Sequence, residues 1–502
     1  MAVPADLSTD LTQSSRDSEE GAGWHSCAGL GTWKEDVPAG AKPSSWLRPS
    51  TLWQSRNDII AKFIADPTAA ARARWVELAR QRARQAGAHP DFVISRAAGD
   101  TVSVLVIGDP GEGDNSQYAL TGPLLNMSKD ADFAVICSDV VYPAGNIDDY
   151  GRSFHHPYRN LKLPIYAVPG NHDWYDSLHG FMHCFCKLHD AGYLPEFGRG
   201  PAARLAGLLW RQSPATTGGG VAERPPPDPL QPAPYFAIDA GPVRFVGIDT
   251  GITRQIDEDQ YHWLRRVSLD APERPKILLT GAPIYVDNKY RPGHVMGRRT
   301  ETVDSVVTDP RANYVMAIGG DIHNYQRYPV PVAGGRTIQY IVSGGGGAYM
   351  HATHRIPTVG VNGVDESAFR CYPLRRDSLA RFSQVIDKKL FGGSRTITID
   401  APTAGRFYKK QGVTTAQSHR PVTGQLSFGE WIKAEVVRRI PAGRLFHRVG
   451  SELFDYDEPP FFKQFLRIDA NSRKITVSCF GVTGCADTEH TPPVEDQFDI
   501  QL

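Results

Sequence analysis

The sequence predicts an α/β fold. From residue 100 onward, short apolar runs rich in β-branched residues recur, and a polar cluster follows each of the main ones directly. The runs are almost continuously apolar, the mark of strands covered on both faces. Composition agrees: 502 residues with 41% hydrophobic content can bury a sizeable core, and 48 glycines with 38 prolines point to long loops rather than a helical bundle.

Residues 1 to about 50 are rich in Ser, Gly, Pro and acids and predict an irregular, partly ordered arm. Asp66 as N-cap, Pro67 at the first helical position and Gly87 as stop predict a helix over 68–86. Its arginines (Arg72, Arg74, Arg80, Arg82 and Arg84) read as a solvated face, with packing through Trp75, Val76, Leu78 and Ala79. Strands are predicted over 102–107, 133–137, 164–168, 235–238, 243–248, 276–280, 314–318 and 338–342. Between them, 195–234 reads as an insertion loop holding Gly218-Gly219-Gly220 and Pro225-Pro226-Pro227. The organisation expected is therefore an N-terminal arm and helix over 1–99, a core over 100–350 and a C-terminal β-rich extension over 351–502, with strand character at 395–400 and 474–480. Whether that extension is a separate module or a set of additions to the core is left open.

Fifty-five basic residues balance 55 acidic ones, which excludes attachment to nucleic acid or anionic lipid by bulk charge. No run of 18 apolar residues occurs, and residues 1–21 lack the basic and apolar regions of a signal peptide, so no membrane partner and a cytoplasmic location are expected. Seven dispersed cysteines do not suggest a disulfide framework and fit a reducing compartment.

The chemistry lies at the strand ends. Run 102–107 leads into Gly108-Asp109-Pro110-Gly111-Glu112-Gly113-Asp114, and 133–137 into Ser138-Asp139-Val140-Val141-Tyr142-Pro143. Run 164–168 leads into Gly170-Asn171-His172-Asp173, and 314–318 into Gly319-Gly320-Asp321-Ile322-His323. Ligands bind beyond the carboxyl ends of strands in α/β sheets, so these clusters converge. Hard oxygen donors with one or two imidazoles suit divalent cations rather than a thiolate zinc site.

These four clusters resemble the motifs of the calcineurin-like metallophosphoesterase superfamily, in the spelling of its purple-acid-phosphatase-like branch. The resemblance covers roughly 100–350, including Tyr340-Ile341-Val342-Ser343 and the glycines 344–347. It implies two β-sheets packed face to face between helices and a metal-dependent hydrolase of phosphate monoesters or diesters acting through a metal-activated hydroxide. One or two ions (Mn, Mg, Fe or Zn) are implied. Asp109 and His323 then correspond to ligands of the first ion, joined by Tyr142; Asp139 bridges both; Asn171 serves the second. His172 corresponds to the histidine that assists the leaving group, and Asp173 is expected to orient it.

Two departures fall on the second ion. The family has a histidine where this chain has Gly281, and Gly-His-x-His where this chain reads Gly320-Asp321-Ile322-His323. Asp321 is the expected replacement ligand, with Asp114, Asp287 and His294 as nearby candidates to compensate. The rival reading is a binding or scaffold protein on a degenerate phosphoesterase core. Substrate contacts are expected from His155, His156 and Arg327, with His351 and His354 as further candidates. The substrate expected is small and phosphorylated, with no nucleic-acid partner; oligomeric state is left open. His179, His183 and Cys186 share helical spacing without a second paired cluster, so a packing helix is preferred to a zinc site. Residues 344–347 read as a tight turn under the metal site, since no P-loop Lys-Ser/Thr pair follows.

Overall fold

The computed structural model describes residues 27, 29–39, 48–96, 99–189, 195–211, 228–413, 422–439 and 458–502. Most of the predicted arm, and the glycine and proline triplets of the 195–234 insertion, lie outside the described residues. After short helices at Trp33–Asp36, Pro49–Gln54 and Arg56–Phe63, the main elements begin, in chain order, with α1 (Thr68–Gln85), β1 (Val93–Ser95), β2 (Thr101–Gly108), α2 (Asn115–Met127), β3 (Phe133–Cys137) and β4 (Ile165–Val168). Then come β5 (Phe236–Ala240), β6 (Val243–Ile248), α3 (Glu258–Leu269), β7 (Lys276–Thr280), β8 (Tyr314–Gly319), β9 (Tyr325–Pro331) and β10 (Thr337–Ser343). The chain continues through β11 (Arg370–Tyr372), α4 (Arg375–Leu390), α5 (Ala401–Lys410) and α6 (Phe428–Arg439), and closes with β12 (Lys463–Asn471), β13 (Lys474–Val482) and β14 (Val494–Gln501).

Two sheets hold the core. One has the order β1-β5-β6-β7-β8-β10-β9-β11, the other β14-β13-β12-β2-β3-β4. Within the second, β2, β3 and β4 run parallel, and β12 to β14 add an antiparallel meander on the far side of β2. The period of two explains the layering. Val102, Val104 and Val106 of β2 join Val135 and Val168 in the cluster shared with Phe236, Ile277 and Ile338 of the other sheet. The alternate residues Leu105, Ile107, Ala134 and Ile136 pack with Leu120 and Leu124 of α2. Continuous apolar runs are thus what a strand between a second sheet and a helix layer requires. The face-to-face arrangement expected from the resemblance is the one present.

Helix α1 starts where Asp66 Oδ1 accepts the Thr68 N–H at 2.9 Å, and Gly87 turns the chain at φ +67°. Its arginines are not all solvated, as the sequence suggested. Arg72 is buried and lies 2.6 Å from both Asp249 and Asp257. The cysteine expectation also needs correction, because Cys27 and Cys485 form a disulfide. It pins the N-terminal segment beside Trp33, whose indole donates to the Gly484 carbonyl at 2.8 Å, and Glu489, which accepts from the Trp33 N–H at 3.0 Å.

The C-terminal region supplies strands to the central sheet, and it also carries α4, α5 and α6. Residues 395–400 form no strand but lead into α5, with Asp400 accepting the Thr403 N–H at 2.7 Å as its cap. Among the described residues no helix is long and apolar enough to cross a membrane.

Candidate metal centre

The carboxyl ends of β2, β3, β4 and β8 deliver the four motifs to one edge of the molecule. The chain turns sharply there: Asp109, Asp139 and Asp321 adopt left-handed φ values of 50°, 22° and 64°. Close approach demands glycine at two of these turns. A Cβ on Gly170 would sit 2.1 Å from Asp139 Oδ1, and one on Gly320 would sit 2.6 Å from Asp109 Oδ2. The glycines at 344–347 do form the turn beneath the site, with the Gly346 N–H donating to the Gly108 carbonyl at 2.7 Å and Ala348 N–H to Asp109 O at 2.9 Å.

Asp109, Asp139 and His323 meet at the Tyr142 hydroxyl. That oxygen lies 3.0 Å from Asp139 Oδ2, 3.1 Å from His323 Nε2 and 3.4 Å from Asp109 Oδ1. His323 Nδ1 is 2.7 Å from the Tyr349 carbonyl, which has no proton to give, so Nδ1 carries the hydrogen and Nε2 presents its lone pair to the cluster. Burial holds His323 well below its usual range, keeping the imidazole neutral. Burial, with the charges of Asp139 and Asp321, holds the Asp109 carboxyl well above the usual carboxylate range; burial also raises Asp139, against the pull of His172. Two buried acids, a phenol and a neutral imidazole fit a single hard cation. Among the described residues no three His, Cys, Asp or Glu side chains form a metal-holding group on their own; Tyr142 is what joins these three.

The second set is different. Asn171 Nδ2 donates to the Tyr175 hydroxyl at 2.7 Å. The Asp321 N–H donates to Asp109 Oδ2 at 2.9 Å, while both Asp321 carboxylate oxygens accept from Arg254, from Nε at 2.9 Å and Nη2 at 2.7 Å. Asp321, the expected replacement ligand, thus has both carboxylate oxygens engaged by a guanidinium. The position of the missing imidazole is close-packed: a Cβ on Gly281 would lie 2.8 Å from the Pro169 carbonyl and 2.9 Å from Thr250 Oγ1. Of the compensating candidates, Asp114 caps α2 through the Ser116 and Gln117 N–H groups, and Asp287 accepts from Gln326 at 3.0 Å. His294 instead lines a cavity of about 290 Å³ together with Thr250, Arg254, Thr280 and Pro283.

His172 stands beside the first donor set, its Nε2 4.0 Å from Asp139 Oδ2 and its N–H donating to Asp139 Oδ1 at 2.8 Å. Its ring is held by the Pro143 carbonyl, 2.8 Å from Nδ1. The role expected of Asp173 is therefore corrected. Its Oδ2 accepts the Val140 and Gly170 N–H groups, each at 3.0 Å, and so braces the two loops that carry Asp139 and Asn171.

The expected substrate contacts are engaged elsewhere. His155 is buried against the rings of Tyr150 and Phe154, and His156 Nδ1 lies 2.6 Å from the Tyr118 hydroxyl. Arg327 forms a two-point ion pair with Asp496 at 2.6 and 3.0 Å and stacks over Phe498. His351 stacks on His323 at 4.3 Å and accepts its backbone N–H, whereas His354 packs on Phe382 and meets Ser378 at 2.9 Å. Sequence reading missed Arg254, Tyr175 and Tyr349. The one signal was indirect: a site losing two ligands of a cation needs another source of that cation's charge.

No curated protein matches the chain. Among solved structures, GAP50, the anchor in the inner membrane complex of Plasmodium, is 12% identical over 54% of this chain and 77% of its own, with a TM-score of 0.32. PhoD is 10% identical over 81% of this chain and 70% of its own, with a TM-score of 0.35. A family model described as calcineurin-like phosphoesterase matches residues 102–325, the stretch that runs from β2 through the His323 motif. The strand-end donors lie within that matched stretch, so over residues 102–325 the chain is similar to the calcineurin-like phosphoesterase family.

Proposed function

We propose that the protein is a metal-dependent hydrolase of small phosphate esters, with the ion held by Asp109, Asp139, Tyr142 and His323. The observation that carries this reading is the meeting of those four donors at one point, with the His323 tautomer set by the Tyr349 carbonyl. An ion bound there supplies Lewis acidity toward a phosphoryl oxygen. The protein's own residues supply the rest. Pro143 holds His172 with Nδ1 as the donor, so that Nε2 is the nitrogen that exchanges a proton with a leaving or attacking oxygen. Asp173 fixes the spacing between the Asp139 and Asn171 loops.

A second reading, binding without hydrolysis, is favoured by the engagement of Asp321 with Arg254. One experiment separates the two: metal analysis of the purified protein, with turnover of an aryl phosphomonoester and an aryl phosphodiester in added Mn²⁺, Mg²⁺, Zn²⁺ and Fe. The hydrolase reading expects bound metal and turnover of at least one ester. Metal near zero with no turnover in any condition overturns it. The Cys27–Cys485 disulfide favours an oxidising compartment over the cytoplasm that composition alone suggests.

A further inference from the structure

We propose that the Arg254 guanidinium takes the place of a second metal ion, so that the protein binds one ion per chain and grips a phosphoryl oxygen through Arg254. The proposal rests on the hydrolase reading above and concerns the half of the site that reading leaves without a cation.

Three observations carry it. First, two of the donors a second ion needs are gone or engaged. Gly281 has no side chain, and the packing of Pro169 and Thr250 around it leaves a larger residue no room. Asp321 gives both carboxylate oxygens to Arg254.

Second, the replacement is a cation fixed in position. The Arg254 side chain is 24% exposed and that of Asp321 7%, and their two-point contact locks the plane of the fork. Asp321 in turn reaches Asp109 through its own N–H, which ties the guanidinium to the first donor set by two successive hydrogen-bonded links. Arg254 itself sits at φ +59°, a conformation a non-glycine residue adopts at a cost.

Third, there is space for a ligand. Arg254 lines the 290 Å³ cavity together with Thr250, Thr280, Pro283 and His294. Nε and Nη2 face Asp321, which leaves the Nη1 edge of the fork for another oxygen. Arginine suits that task because its charge survives any working pH and its donors match phosphate geometry. In other phosphoryl-transfer sites an arginine neutralises charge on the transferring group in the same way.

The test uses the full chain loaded with Mn²⁺ or Zn²⁺ and then dialysed. Metal per chain is counted by mass spectrometry, and binding of inorganic phosphate is measured by calorimetry. The expected result is one ion per chain in the unaltered protein and in Arg254→Gln, with phosphate affinity about 10- to 100-fold weaker in the variant. Arg254→Lys, a point charge on a flexible stem, is expected to recover part of that loss. Should breaking the ion pair prevent folding, Arg254→Gln/Asp321→Asn removes both charges together and is expected to show the same loss.

Two tightly held ions in the unaltered protein overturn the proposal, as does phosphate affinity that is unchanged in the glutamine or the double variant. The absence of any bound ion sinks the hydrolase reading instead. One ion with phosphate affinity independent of Arg254 sinks this proposal alone.

Discussion

The two halves of the strand-end site solve the same electrostatic problem with different chemistry. Around Tyr142, two carboxylates and a neutral imidazole stand within 3.4 Å of one hydroxyl, a cluster of donors that positive charge would complete. Around Asp321, the positive charge is already present as a side chain. Burial explains why each half must be balanced. An unpaired carboxylate is costly in a low-dielectric interior, so it binds a proton, a cation or an arginine. The first half remains open to an ion. The second half is closed by the protein itself.

The largest effect expected from breaking this contrast comes at Asp139, which touches Tyr142 and receives the His172 N–H. Asp139→Asn is expected to lower turnover of an aryl phosphate at least about 100-fold. Unchanged metal-dependent activity would remove Asp139 from the donor set.

Tyr142→Phe keeps the buried ring and deletes the one atom shared by the cluster. Affinity for the ion, read by competition with a chelator, is expected to fall roughly 10- to 100-fold while the fold persists. A loss smaller than about twofold would make Tyr142 a packing residue only.

A pH series separates the halves further. Asp109 and Asp139 titrate above 3.8 in the folded, ion-free chain. Their protons stabilise the folded state fully below about pH 4, and that contribution is lost as pH rises through the raised folded values. An ion takes over from those protons. The gain in Tm on adding Mn²⁺, measured by scanning fluorimetry over a pH series, is therefore expected to be smallest at the acid end and to grow as pH rises. A gain that shrinks over the same range contradicts the donor assignment.

The smallest effect concerns neither half but the frame around them. Thiol titration of the unfolded, unreduced protein is expected to find the five cysteines outside the disulfide, and seven after reduction. Seven before reduction would show the Cys27–Cys485 bond unformed in solution.

The strands that carry the donors were legible because they are apolar on both faces and each donor cluster follows its strand directly, whereas β1, β9, β11, β12 and β14 were not expected. Runs 133–137, 243–248 and 276–280 match β3, β6 and β7 residue for residue. Arg254 was not legible. It lies in a loop after β6, remote in sequence from Asp321, and no local pattern announces an ion pair that only the fold assembles. Helix α4 was missed for a related reason. Its first turn is charged yet buries Arg375, Arg376 and Asp377, and the apolar spacing of Leu379, Phe382 and Val385 begins only after it. Asp173 was seen but misassigned, because neighbouring positions in a motif suggest contact between side chains. Here the carboxylate turns to the Val140 and Gly170 backbone instead.

The register of the six-stranded sheet sets a schedule for the nascent chain. Strand β2 pairs with β3 on one side, and on the other with β12, where Thr101 faces Asn471. During translation β2, β3 and β4 are complete early. The opposite flank of β2 has no partner until β12 leaves the ribosome, on the order of tens of seconds later. Until then its bare N–H and C=O groups form an edge open to any passing strand. A fragment ending near residue 350 would keep that edge permanently, however complete its strand-end donors.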